Sequence, residues 1–149
     1  MVLQNTKIRK LVTWLWYWLP PLILMAVIFY LSSRSSLPVA EGEWVDAVIK
    51  KLAHIGEYTL LFFLLVRAWR RSLAGSRARQ SRSMEQSLRA ALLSTAAYGI
   101  SDEVHQAFVP RRHANWFDVI VDVAVPLVLC LLWYRHRRLL RPRDPDLAE

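Results

Sequence analysis

The chain has 149 residues, a net charge of +8 and 54% hydrophobic residues, with 20 Lys and Arg against 12 Asp and Glu. That length suits one small domain. The single cysteine, Cys130, excludes an intrachain disulfide framework, a zinc-finger spacing and a redox C-x-x-C pair. A basic, apolar chain is either a nucleic-acid binder or a membrane protein with basic loops, and the placement of the charges separates the two.

Leu11 to Ser33 carries no charged residue. A run this long crosses the hydrocarbon core, which takes about 20 helical residues. It is too long for the apolar region of a signal peptide, and no small-residue cleavage pattern follows it. Pro20 and Pro21 lie inside it and predict a kink. A second apolar segment runs from Val48 to Trp69, a third from Ala90 to Val109 and a fourth from Trp116 to Tyr134, with Pro126 inside the last. Residues 72–87, small, polar and Arg-rich, read as a flexible loop. Residues 135–149 read as a basic, disordered tail.

The basic residues alternate between the connections. Lys7, Arg9, Lys10, the Arg residues from 70 to 89 and those from 135 to 143 fall on one side. Arg34, Lys50, Lys51, Arg111 and Arg112 fall on the other. The positive-inside rule then gives an all-α bundle of four spans over residues 11–134, with residues 1–10 and both termini cytoplasmic, in an inner or plasma membrane. Bases that flank apolar spans, without forming one basic face, exclude nucleic acid as a partner and leave the lipid bilayer. Most of the seven Trp sit near span ends, where aromatic belts form.

The acids gather at the outer ends. His54, Glu57 and Tyr58 share a face of the second helix at i,i+3 and i,i+4. On the third, Asp102 stands i,i+3 from His105 and i,i+4 from Gln106, and on the fourth Asp118 and Asp122 are i,i+4. At about 1.5 Å per residue, Glu57, Asp102 and Asp122 lie roughly 10 Å inside the outer interface, with His54, His105 and Asp118 nearer the surface. An ionised group at mid-membrane costs about 2.5–3.5 kcal/mol on insertion scales, so these stripes are expected to face one another in an outward pocket.

The segments "KLAHIGEYTLLFFLL" and "SDEVHQAFVPRRHANWFDVIVD" resemble the VanZ-like family of small multi-pass membrane proteins, named after a teicoplanin-resistance protein. The matching positions are Lys51, His54, Glu57 and Tyr58, then Ser101, Asp102, Glu103, Gln106, Phe108, Pro110 and Arg112, then Asp118 and Asp122. Arg111 stands where the family usually has Gly, and "VAVPLVL" replaces glycines that tend to follow the Asp pair. The resemblance implies a membrane bundle with a cell-envelope role and specifies no mechanism, substrate or cofactor.

Three functions fit these residues. In the first, the pocket binds or alters a lipid-linked or cell-envelope molecule. Lys51, Arg111 and Arg112 hold its anionic group, and Tyr58, Ser101, Glu103, Gln106, Asp118 and Asp122 line the site. In the second, Asp102, His54, Glu57 and His105 act as acid and base, or hold a metal that activates water, in a membrane hydrolase or transferase. The third, a proton or solute path, lacks a polar lining in the inner halves of the helices. Against all three stands a polar network that only holds helices together. The sequence leaves open whether the protein is an enzyme.

Overall fold

The computed structural model describes residues 6–34, 43–73, 80–110 and 115–139. These form four helices and, among the described residues, no strand: α1 (Thr6–Ser32), α2 (Glu43–Ser72), α3 (Gln80–Gln106) and α4 (Trp116–Leu139). At about 1.5 Å per residue each is longer than the ~30 Å hydrocarbon core. The helix begun at Gln80 takes in part of the stretch expected as a loop over 72–87. Its Arg, Gln, Met and Glu are good helix formers, and Ser87 and Leu88 are buried on the bundle side. Of the tail expected to be disordered over 135–149, residues 135–139 instead continue α4; those from 140 onward, with Arg111 and Arg112, lie outside the described residues.

Contacts between helix ends show an up-and-down bundle. The start of α1 meets the end of α2 through Trp18 and Ser72. The end of α1 meets the end of α3 through Ser32 and Asp102. The start of α3 meets the end of α4 through Arg89 and Tyr134. Thr6 and Leu139 thus lie toward the same end of the bundle. Helices α2 and α3 each pack against all three others, whereas α1 and α4 do not touch.

This arrangement explains the composition of each helix. Among the described residues, only α1 and α4 are long and apolar enough, by length and composition, to cross a membrane. They are the peripheral pair, and they expose apolar side chains along their length: Trp16 is 69% exposed and Phe117 70%, with Ile23, Ile120, Leu131 and Leu132 also exposed. An apolar surface this continuous suits lipid and not water. The central helices hold the buried Asp102 and Glu103 among their neighbours, and α4 adds Asp122 on its buried face.

The core is built chiefly from α2. Tyr58, Leu61, Phe62, Leu65 and Ala68 recur at helical spacing and are all buried. They face a stripe of small residues on α3, namely Ser87, Ala91, Thr95 and Gly99, each one turn from the next. A Cβ at Gly99 would stand 3.3 Å from Tyr58 Cε1, a tight contact that the ring would have to yield to by a few tenths of an ångström. From α4 the buried residues are Asp122, Pro126 and Cys130, one turn apart. Proline and cysteine thus occupy the packing face of α4.

Pro20 lacks the N–H that would bond the Trp16 carbonyl one turn earlier. Arg67 of α2 donates to that carbonyl at 3.4 Å and stacks over Tyr17. One carbonyl freed by the proline pair is thereby satisfied from the neighbouring helix, as a membrane requires.

Candidate functional site

Lys51, His54 and Tyr58 stand at i, i+3 and i+7 and so form one stripe of α2. Each meets a carboxylate. Lys51 pairs with Asp118 at the rim. One turn deeper, His54 Nδ1 lies 3.5 Å from Asp122 Oδ2. One turn deeper again, the Tyr58 hydroxyl donates to Asp102 Oδ2 at 3.3 Å. Two rungs join α2 to α4 and the third joins α2 to α3. From Lys51 to Tyr58 the ladder descends about 10 Å.

Asp102 is the hub. It is 2% exposed. Its Oδ2 accepts from Ser32 at 2.8 Å, from Gln106 at 2.8 Å and from Tyr58. Three helices, α1, α2 and α3, thus converge on one oxygen. Gln106 also reaches Ser32 at 3.4 Å. Oδ1 of Asp102 has no hydrogen-bond partner among the described residues, and the same holds for Oδ1 of Asp122.

A cavity of about 280 Å³ opens between α2, α3 and α4. Lys50, Lys51, His54, Glu103, Gln106, Asp118 and Asp122 line it. Asp122 is 4% exposed, so its unpartnered oxygen is buried at the cavity wall. Glu103 has a second task. It accepts the backbone N–H of Asn115. Asn115 in turn caps α4: its side-chain oxygen accepts from the Phe117 N–H at 3.1 Å, and its carbonyl from Asp118 N–H. Glu103 therefore fixes where α4 starts and, through it, where Asp118 and Asp122 stand. Asp118 in the first turn also suits the positive end of the helix dipole.

The expected residues divide. Lys51, His54, Tyr58, Glu103, Gln106, Asp118 and Asp122 come together with Asp102. Glu57 is half-buried and within electrostatic reach of His54, Asp102 and Asp122. Ser101 is exposed and takes no part in this cluster. His105 turns the other way: its ring stacks on Phe29 of α1 at 4.1 Å, and its Nε2 lies 2.9 Å from Oγ of Ser33, just past the end of α1. Side chains advance about 100° per residue around a helix. Spacing puts Asp102, His105 and Gln106 on one broad face, and His105 falls on its α1 side while Glu103 falls on its α4 side. The four groups considered for a metal, His54, Glu57, Asp102 and His105, are therefore split across α3. Among the described residues no three His, Cys, Asp or Glu converge as a ligand set.

Three participants escaped the sequence reading. Ser32 and Ser33, at the end of an otherwise apolar run, supply the polar contacts of α1 to α3. The Tyr98 hydroxyl adds a third by donating to the Met25 carbonyl at 2.5 Å.

Fold and site together define a membrane-like helical bundle with a polar cavity at one end, between α2, α3 and α4. A family model described as VanZ/LLP1 matches residues 17–139, and the chain belongs to that family. The match extends beyond the motif-bearing stretch from Lys50 to Asp122 and takes in most of α1 and all of α4. No curated protein and no solved structure matches the chain.

Proposed function

We propose that this VanZ/LLP1 member spans the inner or plasma membrane four times, with both termini inside, and binds or alters a lipid-linked or cell-envelope molecule from the outer face. The cavity bounded by Lys51–Asp118 and His54–Asp122 carries this reading. Lys50 and Lys51 at its rim suit an anionic group such as a phosphate. The deeper carboxylates suit hydroxyl or amine donors, and the unpartnered Asp122 oxygen is the acceptor for one. A ligand with an anionic linkage and a polar, hydroxylated head matches both halves. The four spans are supported by the charge alternation and by the shielding of α2 and α3 between α1 and α4. The split of His105 from His54 argues against the two-histidine metal site.

The His54–Asp122 pair favours one alternative. A carboxylate on Nδ1 fixes the imidazole tautomer and leaves Nε2 to act as base. In that case the bound molecule is also a substrate, and the protein is an acid/base hydrolase or transferase.

Mass spectrometry of lipid released from purified protein tests the binding reading. The wild type is expected to retain one enriched envelope lipid with an anionic linkage, and Asp122→Asn to lose it while keeping its unfolding midpoint. Lipid in bulk membrane proportions from the wild type would sink the proposal. If Asp122→Asn instead retains the lipid but His54→Gln and Asp122→Asn both accumulate it unchanged in chemistry, the catalytic alternative gains.

A further inference from the structure

A second cavity, about 510 Å³, lies at the opposite end of the bundle between the start of α1 and the end of α2. Arg9, Lys10 and Arg71 bring three cations to it, and no carboxylate lines it among the described residues. Its walls are aromatic. Trp14 stacks on Trp18 at 6.1 Å, and Arg71 stands 6.0 Å from the centre of the Tyr17 ring. The back wall is held in place. Trp18 Nε1 donates to Ser72 Oγ at 3.1 Å, and its ring meets Trp69 edge-on at 5.2 Å. Arg67, one turn from Arg71, stacks on the other approach to Tyr17 at 4.6 Å.

The cleft that Arg135 and Arg138 line with Arg89 also gathers three cations, but Tyr134 is its one aromatic side chain among the described residues, and that hydroxyl already accepts from Arg89. At the α1–α2 cleft the cations meet a floor of three aromatic rings that is held in place. Guanidinium pairs there match the oxygens of a phosphate, which an ammonium assists as a point charge. Leu11, Val12 and Leu15, exposed on adjoining turns of α1, continue the surface as apolar. Apolar surface next to a phosphate-binding cleft suits acyl chains next to a headgroup, and Trp and Tyr favour that depth.

We infer that the cleft formed by Arg9, Lys10, Trp14, Tyr17 and Arg71 is a specific binding site for a phosphate group, carried by the headgroup of an anionic phospholipid. It is independent of the ligand at the other end. A zwitterionic headgroup is disfavoured, since its cation meets three like charges.

Native mass spectrometry of the delipidated full chain tests this, with phosphatidylglycerol, phosphatidylcholine and inorganic phosphate as probes. Phosphatidylglycerol is expected to bind in preference to phosphatidylcholine. The double variant Arg9→Gln/Arg71→Gln should weaken it about thirty-fold, at about one charge contact each. Arg135→Gln/Arg138→Gln, with the same loss of charge at the same end, should retain wild-type binding. Arg71→Lys, which keeps the charge but not the planar fork, should fall between. All these side chains are exposed, so folding is expected to survive, and equal unfolding midpoints check it. Displacement by millimolar phosphate would assign the site to free phosphate, and resistance to it would assign the site to lipid. Equal binding of the two lipids, or equal losses in both double variants, would overturn the inference.

Discussion

Removing the Asp102 carboxylate tests the hub at the centre of the bundle. In Asp102→Ala, Ser32, Tyr58 and Gln106 lose their shared acceptor, and each comes from a different helix. Interhelical hydrogen bonds within membrane proteins average ~0.6 kcal/mol and reach ~1.7 kcal/mol. The two interhelical bonds, from Ser32 and Tyr58, therefore predict a loss of about 1–3 kcal/mol. Ser32→Ala alone should lose about 0.6–1.7 kcal/mol, since it removes one donor. The double variant should lose less than the sum, because Ser32 has nothing to donate to once Asp102 is gone. Unfolding by sodium dodecyl sulfate, followed through tryptophan fluorescence in mixed micelles, measures all three. A coupling energy of zero between Ser32 and Asp102, or a loss below about 0.5 kcal/mol for Asp102→Ala, would refute the hub.

Three further outcomes are expected. Gly99→Ala should destabilise by about 1 kcal/mol, because its methyl meets Tyr58 at 3.3 Å, while Gly56→Ala, with nothing within 4 Å, should be neutral or stabilising in the same unfolding assay. Arg67→Gln should destabilise by about 1 kcal/mol in the wild type and by less in a Pro20→Ala background, where the restored N–H satisfies the Trp16 carbonyl; equal losses would remove the link between them. In a Cys130→Ser background, Trp44→Cys should react with a membrane-impermeant maleimide on intact cells and Arg135→Cys only after permeabilisation; the reverse pattern would invert the proposed orientation.

Much of the site was legible because it is written in helical spacing. Lys51, His54 and Tyr58 share a stripe that no tertiary contact is needed to see, and Asp118 and Asp122 repeat the same logic one helix later. Spacing fixes which residues share a face but not which neighbour that face meets. His105 was therefore grouped with His54, although a rotation around α3 of less than one turn carries it to α1. Ser32 escaped for a different reason. A serine ending an apolar run is nearly neutral in hydropathy, and only the position of α3 makes its hydroxyl a donor to a buried acid. The start of α3 was missed because an Arg- and Ser-rich stretch was read for polarity, and its helix formers were overlooked. The role of Glu103 as anchor of the α4 cap could not be read at all, since it depends on how the chain returns from α3.

The separation of α1 from α4 has a consequence for biogenesis. On the four-span reading, α1 emerges from the ribosome before the other three helices and α4 after them, and these are the two apolar enough to partition into lipid unaided. The middle two carry His54, Glu57, Asp102 and Glu103, and each depends on a neighbour to cover them. α1 is then already in place when α2 arrives, and the Arg67 contact to the kinked turn offers an early point of attachment. α3 follows onto α2, bringing the acceptor for Ser32, and α4 closes the far side through Asp118 and Asp122. The polar ladder is completed last, so a chain stalled before α4 would leave Lys51 and His54 without their carboxylates and open to the membrane's quality control.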